Sequence, residues 1–154
     1  MAATMKITVI NGPNLHLLGV RKPEVYGTET LEDVQKRLKA VARELKVSIA
    51  FVQSNSEGEI VDAITSSLKD GIDGIVINPA AYTHTSIAIH DALESVGIPA
   101  IEIHISNIHR REKFRRKSIT APACIGQICG LGTDGYEWAL RAMAVHLKKQ
   151  KQRE

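Results

Sequence analysis

The chain has 154 residues, about one domain's worth, with 20 Lys and Arg against 17 Asp and Glu for a formal charge of +3. Apolar residues make up 44% and charged residues 24%, close to globular averages, so a disordered chain is excluded. A chain of this length buries enough surface to need no disulfide or metal staple, and with only 4% aromatics its core must be aliphatic.

Short β-branched runs alternate with amphipathic patterns. Met5–Ile10 reads as a strand. Residues 30–46 read as a helix, with Leu31, Val34, Leu38, Val41 and Leu45 at 3-4-3-4 spacing. Val47–Gln53 is a second strand and Gly58–Asp70 a second helix, with Ile60, Ala63, Ile64 and Leu68 on one face and Gly71 after the last turn. Ile72–Asn78 is a third strand. Thr85–Val96 is a third helix, closed by Gly97 and Pro99. Ala100–Ile105 and Ala123–Cys129 are the fourth and fifth strands, the latter holding both cysteines, Cys124 and Cys129, as buried thiols. Their C-x4-C spacing is neither a zinc knuckle nor a C-x-x-C redox pair. The last helix spans about Thr133–Lys149 with Tyr136, Leu140, Met143 and Leu147 inward, and residues 148–154 are expected to fray.

Strand–helix repetition with strands apolar on both faces predicts an α/β fold: a doubly wound, flavodoxin-like five-stranded parallel sheet with helices on both faces. No linker or internal repeat divides it, so residues 1–154 form one domain. The N-terminus is too short in apolar residues for a signal peptide, and no run approaches the ~18–20 of a membrane span. A cytoplasmic protein without membrane contact is the default expectation.

Ligands in such sheets bind beyond the carboxyl ends of the strands. The segments there are NGPNLHLLGVRKPEVYG, SNSEGE, NPAAYTHT, EIHISN with the basic run after it, and GLGTDGYE. Asn, His, Ser and Arg crowd them. The first, residues 11–29, is long for a βα connection, usually about 2–6 residues, and its glycines suggest a lid. Inside it lie Arg21 and Tyr26. Tyr26 is either a surface or packing residue, or a phenol whose neighbouring cation favours phenolate. His84, His104 and His109 fall near strand ends. Glu102 and His104 share one face of an alternating strand, either as a structural pair or as a carboxylate orienting an imidazole. No histidine spacing with a carboxylate set suggests a metal site, and none is expected.

From His109 to Lys117 the chain carries six Arg and Lys against one Glu, a net +5, leaving −2 for the other 145 residues. The run is a solvated face, a substrate-anion clamp, or an RNA contact. The balance elsewhere disfavours nucleic acid. GLGTDG has the form G-x-G-x-x-G but comes at the last βα unit without the acidic residue about 20 positions on. A tight turn is the plainer role. A non-catalytic nucleotide- or flavin-binding module is the alternative to an enzyme here.

Taken together, INGPNLHLLGVRKPEVYG, FVQSNSEGEI, VINPAAYTHTSIAIHDAL, PAIEIHISNIHRREKFRRKS and ICGLGTDGYEWAL resemble the type II 3-dehydroquinate dehydratases, from Lys6 to about Leu147. The resemblance implies a flavodoxin-like fold, a dodecamer built from trimers, and cofactor-free dehydration of 3-dehydroquinate to 3-dehydroshikimate by anti elimination through an enolate, in shikimate or quinate metabolism. It implies that Tyr26 is the base, that Arg21 activates it, and that Asn14 orients the water and groups at the enolate oxygen. His104 is then the acid and Glu102 its orienting partner. Asn78, His84, Ile105, Ser106 and Arg115 would bind substrate, and Asp91 would reach the site of a neighbouring subunit. His16, Lys22 and His90 depart from the family pattern, which has Asn, Glu and Arg there.

Overall fold

The computed structural model describes residues 3–154; the side chains of Val25 and Tyr26 lie outside the described set. Five strands, β1 (Lys6–Asn11), β2 (Ser48–Gln53), β3 (Gly74–Asn78), β4 (Ala100–His104) and β5 (Gly126–Cys129), form one sheet in the order β2-β1-β3-β4-β5. Every pairing is parallel. The helices are α1 (Pro23–Tyr26), α2 (Leu31–Leu45), α3 (Glu57–Lys69), α4 (Ile87–Val96) and α5 (Asp134–Arg153).

Strand alternation assigns the two cores. Ile7, Val9, Val76, Ile101 and Ile103 face one side, where they meet Val34 and Leu38 of α2 and Leu140 and Met143 of α5. Ile10, Ile75, Ile77 and Ala100 face the other, against Ile60 and Ile64 of α3 and Ile89 and Leu93 of α4. Both cores are mainly aliphatic, as the scarcity of aromatics requires, with Tyr136 of α5 buried in the first. The helix starts are fixed by side chains that take up free backbone N–H groups. Thr30 and Asp33 form a reciprocal capping box on α2, and Ser56 and Ser86 accept from Glu59 and Ile89 at the starts of α3 and α4.

Two expectations are corrected. The last helix is longer than expected: α5 continues past Lys149 to Arg153, exposed throughout its last turns. Local backbone hydrogen bonds need no apolar residues, and the cations at its end complement the helix dipole. The fifth strand is shorter than expected. Cys124 lies outside it, closing a 3-10 turn at Ala121–Ala123, and both thiols are free and only partly buried.

The chain runs from β1 to β2 on one side and returns to β3 on the other, so a crevice opens above β1 and β3. The loops leaving these strands touch. Gly12 donates from its backbone to the Asn78 carbonyl at 2.8 Å. A Cβ on Gly12 would stand 2.5 Å from the Pro79 carbonyl oxygen, so only glycine fits.

Candidate active site

The crevice holds a cavity of about 250 Å³. Asn14 and Arg21 of the first loop line it, with Asn78 and His84 from the segment after β3. His104, Ile105 and Ser106 come from the end of β4, and Arg115 from the basic run. Eight expected site residues therefore converge on one pocket. Glu102 lies beneath it. The Tyr26 side chain lies outside the described residues. Asp91 is not brought to this pocket; it is exposed on α4, with Oδ1 3.3 Å from Nδ1 of His90, and the other ring nitrogen of His90 is 3.7 Å from Glu94. His109 is exposed and does not line the cavity.

Strand parity explains the central pair. Glu102 and His104 point to the α3/α4 side of β4, and both are buried. Nε2 of His104 lies 2.9 Å from Oε2 of Glu102. The same oxygen accepts from Ser118 at 2.8 Å and from Gln127 at 2.6 Å, while Oε1 accepts from Thr120. Burial pushes the Glu102 carboxyl upward, but hydrogen bonds from His104 and Thr120, the His104 charge and the Ser118 hydroxyl outweigh it, leaving the carboxyl below its ordinary value. A fully buried carboxylate is thus satisfied at four donors. His104 is held by one ring nitrogen, and Nδ1 has no hydrogen-bond partner among the described residues.

On the opposite face, parity turns Asn11 and Asn78 toward α5. The Tyr136 hydroxyl donates to Oδ1 of Asn11 at 2.6 Å and accepts from Nδ2 of Asn78 at 2.9 Å, with Tyr136 fully buried. Oδ1 of Asn78 accepts from the Ala80 backbone at 3.1 Å. The Asn78 amide is thereby locked, with one N–H left for a ligand.

His84 is fixed differently. Its Nδ1 lies 2.8 Å from the Lys117 carbonyl oxygen. A carbonyl only accepts, so Nδ1 carries a proton, and Nε2 is the ring nitrogen left for a ligand. This contact, and the Ile119 N–H to the Thr83 carbonyl at 2.8 Å, tie the basic run to the segment after β3. The run splits in two. Arg111 and Arg115 line the pocket, while Arg110, Lys113, Arg116 and Lys117 are exposed. Arg115 stands 5.0 Å over the Phe114 ring, and its Nε is 3.2 Å from Glu112. Two arginines of the run thus face the cavity, and its other cations face solvent.

Arg111 was missed by sequence reasoning, as were the donors Ser118, Thr120 and Gln127. The cavity therefore combines three arginines, an imidazole backed by a carboxylate, and several amide and hydroxyl groups. That set suits a small hydroxylated anion and proton transfer to or from it.

The family model for dehydroquinase class II matches residues 5–144. The chain belongs to this family. A 3-dehydroquinate dehydratase of Geotalea daltonii is 56% identical over 145 residues, covering 94% of this chain and 100% of that one. One from Endomicrobium trichonymphae is 59% identical over 138 residues, covering 90% and 96%. Among solved structures, the type II dehydroquinase of Butyrivibrio crossotus superimposes with a TM-score of 0.90 at 48% identity, covering 92% of this chain and 99% of that one. The flavodoxin-like arrangement expected from the sequence is thus shared with class II dehydroquinases. In this member, the Gly-rich final turn is used against protein. Gly130 (φ +89) abuts Asn107, where a Cβ would approach the Asn107 Cβ to 3.0 Å, and a Cβ on Gly135 would meet Ile103 at 3.0 Å.

Proposed function

We propose that this class II dehydroquinase removes water from 3-dehydroquinate to give 3-dehydroshikimate, by anti elimination through an enolate. The observation that carries the reading is the His104–Glu102 pair at the floor of a pocket that also presents Asn14, Arg21, Asn78, His84, Ser106 and Arg115. Elimination of water beside a ketone needs a base, a stabiliser for the developing enolate and an acid for the leaving hydroxyl.

In this mechanism Tyr26, with Arg21 favouring its phenolate, takes a proton from the carbon next to the ketone. The C–H electron pair moves into the enolate, whose oxygen is served by groups and a water that Asn14 orients. His104 then gives a proton to the hydroxyl, the C–O bond breaks, and water leaves as the enolate collapses to the enone. Glu102 holds the imidazole and offsets its charge. Asn78, His84, Ile105, Ser106 and Arg115 bind the hydroxyls and carboxylate. Asp91 serves a neighbouring subunit in a trimer, four of which make the dodecamer. No cofactor or metal takes part. The protein acts in the cytoplasm, in shikimate or quinate metabolism.

The test is the ultraviolet absorbance of the enone when 3-dehydroquinate is added to folded protein. A steady rise is expected. A flat trace at high protein concentration would refute the reading.

A further inference from the structure

Two observations fasten the first loop at its closing end. The first is backbone packing. A Cβ on Gly19 (φ +86) would stand 2.7 Å from the Thr28 carbonyl oxygen and 2.9 Å from that of Glu29, so the two ends of the segment between them lie against each other. The second is a side-chain staple. The Glu29 carboxylate accepts from the Thr133 hydroxyl and lies 3.3 Å from Nη1 of Arg37, which is also 3.1 Å from Asp134. Arg37 belongs to α2; Thr133 and Asp134 open α5 in the Gly-rich turn. Glu29 itself does not line the cavity. The segment that it closes carries Arg21 to the pocket wall.

We propose that Glu29 is a positioning residue: by binding Thr133 and Arg37 it anchors residues 20–28 to the rigid α2–α5 layer and so sets where Arg21, and the Tyr26 of the same segment, stand relative to the substrate. This gives the GLGTDG turn a task that its glycines alone do not explain: it presents Thr133 to the loop. The carboxylate takes a hydrogen bond from Thr133 and an ion pair from Arg37, so losing either arm loosens the same hinge. The activity part of this inference rests on the dehydratase reading; the anchoring part does not.

The experiment uses the full chain and two readouts. Trypsin cleavage between Arg21 and Lys22 reports opening of the segment, and steady-state kinetics with 3-dehydroquinate report its consequence. In Glu29→Gln and in Thr133→Val, cleavage at Arg21 should accelerate roughly tenfold, as expected for losing a hydrogen bond to a charged group, and kcat/KM should fall by a similar factor. Cleavage in the exposed tail of α5 should stay at the wild-type rate. Thr133→Ser, which keeps the hydroxyl, should restore both readouts, and Thr133→Val should add little in the Glu29→Gln background. Wild-type cleavage at Arg21 in both single variants overturns the proposal. So does acceleration that is equal at Arg21 and in α5, because that reports global loosening. Faster cleavage at Arg21 in a chain whose wild type shows no dehydration leaves the anchor standing and refutes the function.

Discussion

Glu102 holds His104 from below, Oε2 to Nε2 at 2.9 Å, and three further donors hold Glu102 in turn. The imidazole therefore has one orientation and one open nitrogen. His104→Ala should lower kcat by about 10²–10⁴-fold, the usual worth of a positioned acid, with the fold intact by circular dichroism. Glu102→Gln, which keeps the shape but loses the charge, should fall between that variant and wild type. Steady-state rates from enone absorbance measure both.

The same carboxylate gives stability a pH dependence. Its folded pKa lies below the ordinary value, because hydrogen bonds from His104, Thr120 and Ser118 and the His104 charge outweigh the cost of burial. Its contribution is therefore complete above the unfolded pKa of ~4.3 and disappears as pH falls through the lower folded value. Thr120→Val removes one donor and should raise the folded pKa, so that the acid loss of stability begins at higher pH. Urea midpoints measured between neutral and acidic pH should show this shift, and in Glu102→Gln the component should vanish.

Tyr136→Phe should cost about 1–3 kcal/mol in urea unfolding, since it leaves the buried amides of Asn11 and Asn78 short of a partner. Burial pushes the phenol pKa upward, so Tyr136 stays neutral and acts as a hydrogen-bond bridge. The substitution should also raise KM, because Asn78 loses the contact that aims it.

Tyr26→Phe should almost abolish turnover and leave ligand binding close to wild type. Turnover within tenfold of wild type would place the base elsewhere. Calorimetric titration with the product supplies the binding half of the comparison.

Strand periodicity made the Glu102–His104 pair legible, because residues two apart on β4 must share a face. Helix periodicity likewise gave the buried face of α2. The basic run was harder. Its 3-10 turns at Ile108–Arg110 and Lys113–Arg115 carry no apolar period, so no periodicity separates Arg111 and Arg115, at the pocket, from Arg110 and Arg116 in solvent; Arg115 was marked only by the family resemblance, and Arg111 by nothing. Thr120 and Gln127 were hidden for another reason. They reach Glu102 from 18 and 25 residues away, and only the packing of the 3-10 turns and β5 beside β4 brings them there. The extension of α5 to Arg153 escaped because an exposed helix end has no apolar signature.

The Tyr136 bridge also bears on how the molecule is made. It joins the end of the first strand to the last helix, 125 residues apart. On the ribosome, β1, β3 and β4 emerge long before α5, and until it docks, Val9, Val76 and Ile103 have no cover from Leu140 and Met143. The crevice floor is thus among the last parts to be set, and a chain that ends ahead of Tyr136 leaves both that bridge unmade and this apolar face of the sheet bare.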